Sequence, residues 1–214
     1  MYRAAIFDFD FTLGDSAKGI IQCAQAALKA LGEPPAREEA IRKTIGLSLK
    51  DTCAALTGRD VPAEKELFAR VFRETADVVM TPSTELYPGA AALLRELHGR
   101  GCKVGIVTTK FHYRIEQILQ KFGLTDVVDV IVGAEDVQAT KPAPEGLLHA
   151  VKALGLSVQD ALYVGDNTVD AQAAQNAGMA FAGVLTGTTT EEDFRRYPHV
   201  RIANDLSGIR DLLA

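Results

Sequence analysis

Ala4-Ala5-Ile6-Phe7-Asp8-Phe9-Asp10-Phe11-Thr12-Leu13 is the segment from which the architecture follows. Ile6, Phe7 and Phe9 predict a short buried strand with Asp8 and Asp10 at its carboxyl end. Side chains alternate along a strand, so two carboxylates at i and i+2 point the same way. Like charges held that close repel. A divalent cation shared between them removes the objection. The expectation is a metal-and-carboxylate site on the sheet edge where open α/β folds bind ligands.

Beyond Leu13 the hydrophobic period changes. Ile20, Ile21, Ala24, Ala27, Leu28 and Leu31 recur at helical spacing, and Gly32 with Pro34-Pro35 stops that helix. Further helices are expected over 36–45, 49–56 and 63–79, and a linker over 80–88. From residue 89 the rhythm becomes helix and strand in alternation. Strands are expected at 104–108, 127–132, 161–164, 180–185 and 199–203, and helices at 89–98, 113–122, 144–154 and 169–177. Apolar strands alternating with helices predict a parallel sheet covered on both faces. The fold class is therefore α/β, a Rossmann-like parallel sheet core flanked by helices. A small all-helical cap, residues 15–82, is inserted after the first strand into a core made of 1–14 and 83–214.

Composition sets bounds on function. The chain has 214 residues, is 47% hydrophobic and carries a formal net charge of -5. That balance gives no bulk electrostatic reason to bind nucleic acid or an anionic membrane. Cys23, Cys53 and Cys102 are far apart and form no C-x-x-C pair, which fits a reducing compartment rather than a disulfide framework. No apolar run reaches membrane-spanning length, and no signal peptide precedes the first strand, so a cytoplasmic location is expected. Gly14 to Gly19 has the glycine frame of a P-loop but lacks the following Lys-[Ser/Thr]. No G-x-G-x-x-G follows a strand, so no dinucleotide cofactor is expected.

Four chemical features sit at or just beyond predicted strand ends: Asp8-x-Asp10-x-Thr12, Thr108-Thr109-Lys110, Lys141-Pro142 in the loop after the strand ending at Val132, and Gly165-Asp166-Asn167-Thr168-Val169-Asp170. In a parallel sheet these ends share one edge. Phosphoryl transfer needs that inventory. A carboxylate can act as nucleophile, and a second can act as acid and then base. A metal bridges carboxylate and phosphate, while a lysine and a hydroxyl hold the remaining oxygens.

The order D-x-D-x-T, T, K-P and G-D-x-x-x-D resembles the haloacid dehalogenase-like hydrolase superfamily over essentially the whole chain. The position of the insert resembles the phosphoglycolate phosphatase branch, and Arg42 to Lys50, with Ile45-Gly46-Leu47, resembles that branch's cap loop. The resemblance implies Asp8 as nucleophile, Asp10 as general acid/base, Thr108 as phosphate-binding hydroxyl and Lys141 as the cation steadying Asp8 and the phosphate. It implies Mg²⁺ on the Asp8 carboxylate, the Asp10 backbone carbonyl and Asp166, with Asp170 orienting the metal shell or contacting Lys141. Thr109, Lys110, Asn167, Arg42 and Gly46 are the candidate substrate contacts. Phe11 departs from the family's usual glycine, and phenylalanine resists the positive φ that glycine permits.

The resulting expectation is a Mg²⁺-dependent phosphatase, monomeric or homodimeric, acting on a small phosphorylated metabolite. A phosphoglycolate-like phosphomonoester comes first, then pyrophosphate and sugar or nucleoside phosphates. A phosphomutase uses the same residues. A dehalogenase does not use the second aspartate as an acid. A phospho-aspartate signalling domain is usually shorter, lacks a large helical insert and places a lone phosphorylated aspartate between the acidic pair and the threonine; no such aspartate ends a predicted strand there.

Overall fold

The opening strand, β1 (Ala4–Phe7), lies inside a six-stranded sheet, and the computed structural model describes residues 2–213. In chain order β1 is followed by β2 (Gly14–Asp15), α1 (Ala17–Ala30), α2 (Glu38–Arg42), α3 (Leu49–Thr57), α4 (Pro62–Ser83) and β3 (Glu85–Leu86). Then come α5 (Ala90–Gly99), β4 (Lys103–Val107), α6 (His112–Phe122), β5 (Val130–Val132), α7 (Glu145–Ala153) and β6 (Ala161–Gly165). The chain closes with α8 (Thr168–Ala177), β7 (Ala180–Val184), α9 (Glu191–Phe194) and β8 (Arg201–Ala203). The sheet order is β5-β4-β1-β6-β7-β8. Its pairings are parallel, so the carboxyl ends share one edge. The fold class is the expected one.

Alternation along β1 divides the core. Ala5 and Phe7 join Leu94, Ile106 and Ile118 on one face, while Ala4 and Ile6 join Leu147, Tyr163 and Phe181 on the other. Because both faces are covered, the strands read as continuous apolar runs rather than alternating ones. Each large side chain fully buried there contributes about 1.5–3 kcal/mol.

The chain forms two compact units. The α/β unit comprises residues up to Gly14 and from Leu86 onward; the helical unit is Asp15–Glu85. Within the helical unit α1 and α4 pack together, and a Cβ on Gly19 would lie 3.2 Å from Met80 Sδ. Ile20, Ala24 and Ala27 of α1 and Phe68, Phe72 and Ala76 of α4 are buried, as helical spacing requires.

Several boundaries differ from the sequence expectation; the helix expected over 36–45 is Glu38–Arg42 and the strand expected at 199–203 is Arg201–Ala203. Residues 80–83, expected in a linker, continue α4 through Pro82. The helix end is closed by Thr84, whose Oγ1 donates to the Met80 carbonyl at 2.8 Å. The strand expected at 127–132 is Val130–Val132 alone, because Thr125–Val127 forms a 3-10 turn in which Val127 N donates to Leu124 O. Leu206–Leu212 forms a further 3-10 segment that the sequence pattern did not announce. No helix among the described residues is long and apolar enough to cross a membrane.

Candidate active site

The backbone just past β1 is a tight turn. Asp8 N continues the ladder to Val164 O at 2.9 Å, and Phe9 O then accepts from Thr12, Leu13 and Gly14. At the apex Phe11 has φ 59°, the left-handed region that a phenylalanine resists. The backbone thus keeps the geometry a glycine would permit and carries a side chain there as well. Phe11 N donates to Gly14 O at 2.8 Å. The ring is buried, 4% exposed, yet belongs to neither sheet cluster.

The turn sends the two aspartates to different partners. Lys141 Nζ lies 2.9 Å from Asp8 Oδ1, and Lys110 Nζ donates to Asp10 Oδ1 at 2.8 Å and Oδ2 at 2.6 Å. Each carboxylate has its own ammonium, which answers the like-charge objection without a bridging ion. Lys110, a candidate substrate contact, is engaged with Asp10.

The other strand ends supply the remaining groups. Thr108, just past β4, is buried; its backbone N–H donates to Val132 O, and its Oγ1 accepts from Lys110 N at 3.3 Å. Thr109 between them is half-buried. Lys141, in the loop between β5 and α7, is preceded by Thr140 and followed through a cis peptide by Pro142. Its ammonium donates to Asp170 Oδ1 at 2.6 Å and to the Tyr163 hydroxyl at 3.1 Å. Asp166, just past β6, accepts from Thr12 Oγ1 at 3.1 Å.

Asn167, not Asp166, caps α8. Its Oδ1 accepts from Val169 N at 3.2 Å, while Asn167 N donates to Asp170 Oδ2 at 3.0 Å, a capping box. That assignment leaves the Asp166 carboxylate for the site and engages the Asn167 side chain, a candidate substrate contact, in holding the helix start. Asp170 bridges both worlds: Oδ2 serves the cap and Oδ1 serves Lys141. Gly165 makes this possible, since a Cβ there would stand 2.5 Å from Asp170 Cβ. Arg42, the last residue of α2, and Gly46 beyond it lie in the helical unit.

Two participants carried no sequence motif with an assigned role. Tyr163 is fully buried in β6; its hydroxyl lies 2.9 Å from Asp170 Oδ1 and 3.3 Å from Val107 O while accepting from Lys141. A buried tyrosine needs a partner for its hydroxyl, so its presence in an apolar run is itself a signal. Thr12, fully buried, was visible only as a letter in the first motif.

Burial dominates the electrostatics. It pushes the Asp8 carboxyl up to about 7, with Lys141 opposing and Asp170 and Asp10 adding to the rise. Asp166 is held well above the ordinary carboxylate range by burial, then by Asp170 and Asp8. For Lys141 burial works against the charge, but Asp170 and Asp8 outweigh it and raise its pKa. Tyr163 is raised by burial and by the same carboxylates.

These residues fit a divalent cation. Oxygens of Asp8, Asp166 and Asp170 all lie within 4.8 Å of one another. Asp8 Oδ1 is buried and, among the described residues, has no hydrogen-bond donor: Lys141 sits beside it as an ion pair without hydrogen-bond geometry. With all four carboxylates ionised, Asp8, Asp10, Asp166 and Asp170 against Lys110 and Lys141 leave two negative charges. A hard dication with oxygen preference, such as Mg²⁺, would cancel them.

The chain is similar to known proteins. A family model described as haloacid dehalogenase-like hydrolase matches residues 5–184. A phosphoglycolate phosphatase of Psychrobacter arcticus is 31% identical, covering 97% of this chain and 94% of its own. One from Rhodobacter capsulatus is 32% identical, covering 98% and 95%. A Bacteroides fragilis protein described as a haloacid dehalogenase-like hydrolase has a crystal structure that superposes with a TM-score of 0.95 at 38% identity, over 98% of this chain and all of that one.

Proposed function

The chain belongs to the haloacid dehalogenase-like hydrolase family, in its phosphoglycolate phosphatase-like branch, and is a phosphatase; on that premise we propose that it cleaves a small phosphomonoester through a phosphorylated Asp8. One observation carries the proposal. The two motif aspartates are equivalent in sequence but not in surroundings. Asp8 presents a buried oxygen without a hydrogen-bond donor beside Lys141, whereas both oxygens of Asp10 are held by Lys110.

Chemistry follows from that asymmetry. An Asp8 oxygen attacks phosphorus in line as the bond to the leaving oxygen breaks, and Asp10 delivers a proton to that oxygen. Water then attacks the phosphorylated Asp8, Asp10 takes its proton, and the Asp8–phosphorus bond breaks to release phosphate. A lysine ammonium donates only, so Lys110 holds Asp10 in its proton-accepting role. Delivery of a proton to the leaving group requires Lys110 to free one Asp10 oxygen, which carries a proton before the attack and regains it from water in the second step. Thr108 Oγ1 and Lys141 hold phosphoryl oxygens and offset their charge. Asp8, Asp166 and the Asp10 carbonyl, with Asp170 in support, would hold Mg²⁺, which would supply charge neutralisation of the transferring group. Asp10 in the acid role is what favours phosphoryl transfer over dehalogenation. Thr109, in the helical unit Arg42 and Gly46, and Asn167 beyond its capping role keep their place as substrate contacts.

A phosphoglycolate-like ester is the favoured substrate, supported by the names of the relatives. The test is a panel of phosphoglycolate, pyrophosphate, sugar phosphates and nucleoside monophosphates with added Mg²⁺. Preferential hydrolysis of phosphoglycolate is expected. Preference for another panel member replaces the substrate assignment, and no turnover of any member overturns the reading.

A further inference from the structure

The loop after β7, Leu185-Thr186-Gly187-Thr188-Thr189-Thr190, belongs to none of the four motifs, yet it reaches two of them. Thr186 Oγ1 donates to the Phe11 carbonyl, at the apex of the first-motif turn. The Thr186 carbonyl accepts from the Tyr87 hydroxyl at 3.4 Å, so this residue is tethered on two sides. The next residue, Gly187, lies against Asp166. A Cβ on Gly187 would overlap Asp166 Oδ2 and stand 2.8 Å from its Cγ and 3.1 Å from its Cβ.

Backbone conformation does not require glycine here, because Gly187 is not among the positive-φ glycines. Space alone requires it. Nor can Asp166 step aside freely. Its carboxylate is 3% exposed and accepts from Thr12 Oγ1 at 3.1 Å. Because Cγ and Cβ of Asp166 are crowded as well as Oδ2, making room shifts the carboxylate relative to that hydroxyl and to the oxygens of Asp8 and Asp170 that now lie within 4.8 Å.

We propose that Gly187 is a positioning residue of the phosphatase site: the space its missing side chain leaves is where the Asp166 carboxylate stands. Thr186 fixes the loop so that this space stays in register with the first-motif turn. The inference rests on the assignment of Asp166 as a cation ligand, and it concerns how this chain holds that ligand. A group behind a metal ligand shifts affinity when altered, typically by about 10–100-fold.

The experiment is Gly187→Ala in the full chain, read first without catalysis. Melting midpoints are recorded against Mg²⁺ concentration for wild type and variant. The Mg²⁺ dependence of Gly187→Ala is expected to move to roughly ten-fold higher concentration or beyond. An unchanged dependence overturns the proposal. A wild type with no Mg²⁺ response contradicts the cation assignment instead, and a metal-free cycle then decides Gly187 separately. In that cycle Gly187→Ala lowers the midpoint of the wild-type background, and the loss shrinks by more than half in Asp166→Ala, where the overlapping atoms are gone. An equal loss in both backgrounds overturns the proposal. If Gly187→Ala alone fails to fold, recovery of folding in the double variant supports the contact, and failure of that double variant while Asp166→Ala alone folds counts against it.

Discussion

Lys110 Nζ sits between both carboxylate oxygens of Asp10, at 2.8 and 2.6 Å, with each side chain 8% exposed. Buried pairs of this kind are costly to break from one side, since the survivor keeps its charge without a partner. Lys110→Met is expected to lower unfolding free energy by about 3 kcal/mol. Adding Asp10→Asn to it should restore much of that loss. Urea denaturation of the two single variants and the double variant measures the coupling, and additive losses would remove the pair as a structural unit.

A second prediction concerns pH. The Asp8 carboxyl is lifted from 3.8 to about 7, chiefly by burial. Between those values the folded metal-free chain keeps a proton that the unfolded chain releases, so its stability falls as pH rises through that window. Asp166 is displaced in the same direction. A bound dication takes the place of the proton and stabilises the ionised form. The gain in melting midpoint from Mg²⁺ over chelator is therefore expected to widen from about pH 4 to about pH 7. A gain that narrows with rising pH contradicts this.

The turn at Phe11 makes a third prediction. Replacing the buried ring by alanine or glycine costs up to about 3–5 kcal/mol in either case. At φ 59°, however, glycine is relieved of strain that alanine keeps. After the entropy glycine loses on folding, Phe11→Gly should exceed Phe11→Ala in stability by roughly 0.5–1 kcal/mol. That reverses the usual order of the two residues. Chemical denaturation of both variants decides it, and alanine being the more stable would show that the turn relaxes.

Much of this is legible in the sequence. Buried strands announced themselves as apolar runs such as 104–107, and each motif stood at the end of one or in the loop beyond it. What periodicity could not show was partnership. Asp8 and Asp10 share a motif and a strand face in the sequence, yet each has its own lysine, set by the turn and by loops more than ninety residues away. Tyr163 looked apolar because its strand is buried, and Gly187 carried no signal because a needed absence of atoms leaves no motif. Strands of two residues, Gly14–Asp15 and Glu85–Leu86, are too short for any period to register.

In the proposed reaction Asp8 forms the bond to phosphorus. Asp8→Asn keeps the shape of the side chain and removes its nucleophilic charge. The variant is expected to fold, to bind Mg²⁺ more weakly, and to lose turnover of a generic aryl phosphate by about 1,000-fold or more. Hydrolysis by Asp8→Asn at the wild-type rate would contradict the account.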